Sequence, residues 1–141
     1  MTSPDICAGV ALRYPDTGPD FDESRKHICV VVKDDQAKGD LYLVSICSYC
    51  RPCDETCVID AWSGWRAITK KSFVAYYHTM TVSRKNTLDR IKEASVTFLG
   101  AVPPDIYKRI FDGIKTSPNV EPRFRNAVIG EPPKPRILHS Q

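Results

Sequence analysis

The sequence predicts an α+β chain, with strands in its front half and helices behind. Three observations carry this expectation. Short β-branched and aromatic runs recur across residues 6–82, separated by turn residues, which suggests a small barrel or sandwich. Beyond residue 82 that pattern stops. Pro103-Pro104-Asp105 then opens a stretch whose apolar residues Ile106, Tyr107, Ile110, Phe111 and Ile114 share one helical face.

The elements follow in order. An apolar run from Ile6 to Leu12 is followed by the turn-rich Tyr14-Pro15-Asp16-Thr17-Gly18-Pro19-Asp20. His27-Ile28-Cys29-Val30-Val31-Val32 is continuous and β-branched, as in a strand buried on both faces. Asp34 to Asp40, with Gly39, is a turn leading to a second strand, Leu41 to Cys47, and the pair reads as a hairpin. Ser48 to Thr56 is polar loop and Cys57-Val58-Ile59 a short strand. Trp62-Ser63-Gly64-Trp65 is a turn flanked by aromatics. Ser72 to Tyr77 is a further strand, continuing through Met80 and Val82. Leu88, Ile91 and Ala94 predict a short helix near 87–94, with Asn86 or Thr87 as its N-cap. Phe98 to Val102 is a candidate strand, and the helix at 104–116 ends at Ser117-Pro118. Residues 1–130 are expected to form one domain, and 131–141, with Pro132, Pro133 and Pro135, a flexible tail.

A chain of 141 residues can bury a core without disulfides or a structural metal. Its net charge of +3, from 20 basic and 17 acidic side chains, permits a nucleic-acid partner without demanding one. No stretch approaches the roughly 20 apolar residues of a membrane span. Met1-Thr2-Ser3-Pro4-Asp5 lacks the basic start and apolar run of a signal peptide. The expected location is therefore the cytoplasm, where cysteines are thiols or metal ligands.

The six cysteines include the run Cys47-x2-Cys50-x2-Cys53-x3-Cys57. Its spacing matches a ferredoxin run, but Val58 stands where proline follows in that motif. In two-cluster ferredoxins the fourth cysteine serves the other cluster, and the remaining Cys7 and Cys29 are isolated, so counting excludes that class. Two alternatives stay open. One is a single four-thiolate zinc or iron–sulfur site. The other is a set of buried or incidental thiols, since Cys47 and Cys57 end apolar strands.

The succession Lys26 to Val32, Leu43 to Ser48, Cys53 to Ile59, Ile68 to Tyr77 and the helix from Ile106 to Ser117 resembles the PemK/MazF-like toxins of toxin–antitoxin systems, in a divergent branch. The resemblance covers residues 8–118 and rests on order and spacing. It implies a small SH3-like β-barrel over residues 6–82, with 96–102 as a candidate addition and helices appended near 87–94 and 104–116. It also implies a homodimeric, cofactor-free endoribonuclease specific for a sequence in single-stranded RNA, held inactive by an antitoxin protein. In that family an arginine before the second strand and a Ser or Thr after the third line the site, and Arg25 and Ser48 match those positions.

The chemistry suits these residues. Cleavage through the 2′-hydroxyl needs a base, an acid and stabilisation of charge on phosphorus. Arg25 can clamp phosphate with two donors, His27 is a candidate acid or base, and Ser48 can hold a phosphate oxygen. Lys26, Lys70 and Lys71 are candidate backbone contacts, and Tyr49, Trp62 or Trp65 candidate stacking partners. Each also has a plainer reading: His27 as a packing residue, the lysines as solvated charges, the tryptophans as core. The family's Arg-Gly-Asp-like opening segment is missing, and Gly9 to Tyr14 is a loose stand-in. That absence motivates an alternative function, a non-catalytic SH3-like binding module. A zinc or iron–sulfur protein organised by the four clustered cysteines is a second alternative.

Overall fold

The computed structural model describes residues 5–15 and 27–130. Arg25, Lys26 and the expected tail at 131–141 lie outside the described residues.

The six strands are β1 (Val10–Tyr14), β2 (His27–Asp35), β3 (Asp40–Ser48), β4 (Val58–Ile59), β5 (Ser72–Ser83) and β6 (Thr97–Ala101). They form one antiparallel sheet in the order β4-β5-β3-β2-β1-β6, curled as a half-barrel. The expected α+β class and hairpin order are present. Among the described residues the sheet does not close within 6–82; the candidate addition at 96–102 supplies β6, which pairs with β1 and extends the sheet on the side away from β4. Register breaks in the β1–β6, β2–β3 and β3–β5 pairs supply bends that curl the sheet.

Alternation along the strands divides the core in two. Ala11, Val30, Val32, Val44, Ile46, Val74 and Tyr76 face the helices α2 (Pro104–Thr116) and α3 (Pro122–Ile129), which contribute Ile106, Ile110, Ile114, Phe124 and Val128. On the other face Leu12, Tyr14, Cys29, Val31, Leu41 and Leu43 pack with Ile6, Val96 and residues of the helix α1 (Arg84–Lys92).

The helix expected near 87–94 starts three residues earlier, because β5 runs directly into it. Ser83, not Asn86 or Thr87, is the N-cap, and its hydroxyl accepts from the Asn86 amide. Thr87 is instead buried, with its hydroxyl donating to Ser83 O at 2.9 Å and lying 3.3 Å from Tyr14 Oη. Helix α2 has proline and Asp105 in its first turn, and Arg125 of α3 holds its far end. The Arg125 guanidinium donates to Ile114 O at 3.0 Å and to Ser117 O at 2.6 Å. Helix α3 was not expected. Pro122 opens it and the Glu121 side chain caps it, and Lys33 of β2 donates to Ala127 O at 2.6 Å. Tyr42 meets Phe124 edge-on at 5.8 Å.

Candidate nucleic-acid interface

Connectivity gathers most of the sequence-predicted residues at one end of the sheet. Tyr14 at the close of β1 pairs with His27 at the opening of β2. Ser48 at the close of β3 pairs with Ser72 at the opening of β5, and Ile59 pairs with Ser72 from the other side. Loops 49–57 and 60–71 therefore emerge together, carrying Tyr49, Lys70 and Lys71.

The two loops are tied by backbone and side chain. The Tyr49 amide donates to Lys71 O at 3.0 Å, and Lys71 Nζ lies 4.0 Å from the Tyr49 ring centroid. Arg51 Nε donates to Tyr49 Oη at 2.8 Å, and that hydroxyl donates to Glu55 at 2.8 Å. A half-buried tyrosine is thus held between two cations. Sequence reasoning missed Arg51 because it stands inside the cysteine run, where ligand spacing drew attention.

His27 and Ser48 are brought to the same end but not to the same face. Ile28 and Val30 face α2, so alternation puts His27 on the opposite face with Cys29. Val44 and Ile46 face α2, so Ser48 belongs on that side. His27 is half-buried and Ser48 exposed.

The tryptophans separate as well. Trp65 is 6% exposed and belongs to the core, which removes it as a stacking partner, whereas Trp62 is 85% exposed. The two flank an open hollow of about 530 Å³ that Arg66 and Ile68 also line.

The cysteine run does not assemble. Among the described residues no three His, Cys, Asp or Glu side chains converge as metal ligands. Cys57 is buried in the α2-facing core and Cys50 is exposed. Alternation puts Cys47, half-buried, on the face opposite Ile46. Burial pushes both the Cys47 and Cys57 thiols up.

What anchors this loop is Asp54. Its carboxylate accepts from Ser117 Oγ at 2.5 Å, Asn119 Nδ2 at 2.9 Å and the Thr56 amide at 2.9 Å. Burial alone would raise its pKa, but these hydrogen bonds from Asn119, Ser117 and Thr56 outweigh burial and hold it below the usual carboxylate range.

Strand β5 carries a feature the sequence did not announce. Ser45 pairs with Ala75, but its neighbour Val44 pairs with Thr79, leaving Tyr76, Tyr77 and His78 without partners on β3. Tyr76 turns inward and donates to Ile110 O at 2.8 Å. Tyr77 is 53% exposed and its ring lies 4.5 Å from that of His78. Burial, with Cys47 and Cys53 nearby, raises the Tyr77 phenol.

Comparison with known proteins adds no relative: no family model matches the chain, and no curated protein matches it. No helix among the described residues is long and apolar enough to cross a membrane.

Proposed function

We propose that this chain is a PemK/MazF-like toxin with an SH3-like barrel, acting as a homodimer on single-stranded RNA. The observation that supports this best is the meeting of Tyr49, Arg51 and Lys71 at the sheet end that also carries His27, Ser48 and Lys70. Aromatic rings between cations suit unpaired bases on a phosphate chain. In the cleavage reading, Arg25 clamps the scissile phosphate. His27 moves the proton of the 2′-hydroxyl, and Ser48 holds a phosphate oxygen. No cofactor enters this chemistry, and an antitoxin protein covers the same surface when the toxin is silent.

Induced expression in bacteria should arrest growth, and Arg25→Ala should relieve the arrest. Purified protein should cut an unstructured RNA at defined sites. Normal growth with intact RNA after strong expression would refute the nuclease.

A second reading has its own support. His27 and Ser48 belong to opposite faces, so one phosphate cannot readily meet both from a single protomer. A non-catalytic module that binds RNA through Tyr49, Arg51 and Lys71 needs no such meeting. It predicts RNA affinity without cuts, and harmless expression.

A further inference from the structure

We propose that the outer edge of β5, from Thr79 to Ser83, pairs antiparallel with the same strand of a second copy, joining two half-barrels into one continuous sheet. The inference rests on the homodimer of the reading above, to which it gives an interface, and on none of that reading's RNA chemistry.

Strand β5 stands second from one margin of the sheet, but its outer neighbour β4 is only two residues long. Ile59 pairs with Ser72 and Val58 with Phe73, and the Val74 amide donates to Cys57 O at 3.1 Å. Beyond Val74, no strand among the described residues pairs with that side of β5. Such an edge is a template for a further strand, and proteins ordinarily blunt it with charge, proline or a bulge. Residues 72–83 contain no Asp, Glu, Lys, Arg or Pro. The bulge ends at His78, after which Thr79 to Ser83 pair one to one with Val44 to Asp40. Five regular residues are left with an unguarded side.

The composition of this stretch fits its own copy. A two-fold contact sets the strand against an identical one, so any charge in it would face a like charge, and β5 carries no Asp, Glu, Lys or Arg. A register centred on Thr81 keeps all five residues in the ladder, with Thr81 opposite Thr81, Met80 opposite Val82 and Thr79 opposite Ser83. Alternation then matches like with like on both faces. Hydroxyl side chains meet on one face. Met80 and Val82 meet on the other, where the core is thinly covered. The helix on that side, α1, fully buries only Thr87, and Met80, Val82, Leu88, Ile91 and Phe98 are all partly buried against that core. A second copy extends this core across the axis. The edge of β6 is less suited, because Gly100 at φ 90° and a register shift in its pairing with β1 break its line.

The test is light scattering coupled to size-exclusion chromatography of the full chain over a range of concentrations. The parent should run as a dimer. Thr81 is exposed, so Thr81→Lys should leave the fold intact by circular dichroism while setting two ammonium groups against each other on the axis. It should raise the dimer dissociation constant at least roughly tenfold. Thr81→Glu should do the same. An equimolar mixture of the two variants should return to dimer, because opposite charges then face each other. If the dimer persists undiminished in both variants, its interface is another surface: the inference falls and the homodimer stands. Variants that stay monomeric when mixed also overturn the edge pairing. Assemblies larger than a dimer mean that β5 meets β6 of the next copy, a head-to-tail contact, and refute the two-fold one. A monomeric parent overturns both this inference and the homodimer beneath it, and leaves RNA cleavage to the growth assay.

Discussion

Tyr76 and Tyr77 are adjacent in the chain, yet they belong to regions built differently. On the α2 side, Tyr76 is fully buried, its hydroxyl is hydrogen-bonded to Ile110 O, and its ring lies against Gly113. On the other side, Tyr77, Trp62 and Arg51 are exposed, and Tyr49 is half-buried between Arg51 and Lys71. In the first region, space is so limited that one residue must be glycine. In the second, side chains are positioned with room beside them. The difference teaches where to look for each kind of effect: stability changes on the α2 side, and binding changes at the loop end.

The sharpest test of the packed side is Gly113→Ala. A Cβ there would stand 1.9 Å from Tyr76 Oη and 2.5 Å from its Cζ, so the ring must move or α2 must lift. Alanine gains about 1 kcal/mol of helix propensity, but overpacking and loss of the hydroxyl's partner outweigh it. The expected net loss is about 2–3 kcal/mol, read as a lower urea midpoint. Adding Tyr76→Phe removes the nearest oxygen and should restore part of that loss, because the two sites are in contact. An unchanged midpoint for Gly113→Ala would show that the interface is looser than its geometry.

Asp54 links the two regions, fastening loop 49–57 to the α2–α3 corner. Asp54→Ala leaves the Ser117 and Asn119 donors without their acceptor and should cost about 1–2 kcal/mol. Its carboxyl is depressed in the folded protein. The stabilisation is therefore present above the unfolded carboxylate pKa near 3.8 and lost as pH falls through the lower folded value. Acid unfolding of Asp54→Asn should accordingly be shallower below that pH. Asp112 is also depressed, by its hydrogen bond from Lys108, but that pair is exposed. Added salt should screen Asp112 and leave the Asp54 step in place.

Much of the sheet was legible because β-branched runs such as Val30-Val31-Val32 have few other uses, and α2 because proline, aspartate and an apolar stripe coincide. The bulge was hidden by parity. Val74, Tyr76, Met80 and Val82 stand at even positions on either side of His78, so they read as one face of one strand. Yet Val74 and Tyr76 serve the α2-facing core, while Met80 and Val82 serve the opposite one. An odd number of unpaired residues inverts the faces without disturbing the count. Helix α3 escaped because eight residues give only Phe124 and Val128 as a buried pair, too short a stripe to stand above chance. The pairing of β6 with β1 joins residues over 80 positions apart, and no local pattern specifies it. For the site, Tyr49 and Lys71 were legible as residue types, whereas the placement of His27 and Ser48 on different faces followed only from register.

The smallest expected effect on stability belongs to Lys71→Ala at the loop end. Its ammonium lies 4.0 Å over the Tyr49 ring, and an exposed cation–π contact is worth about 0.5–1 kcal/mol, partly replaced by water when lost. The urea midpoint should therefore shift by no more than about 0.5 kcal/mol equivalent. RNA affinity should behave differently. A lysine that neutralises one phosphate of a single strand releases counterion on binding, so its removal lowers the slope of log affinity against log salt by about 0.7. Folding and binding are thereby read on separate axes for one residue. A fall in stability above about 1 kcal/mol would move Lys71 into the structural class with Gly113. An unchanged salt slope would mean that Lys71 positions the Tyr49 ring and meets no phosphate, leaving Arg51 as the nearer cation to test by the same pair of measurements.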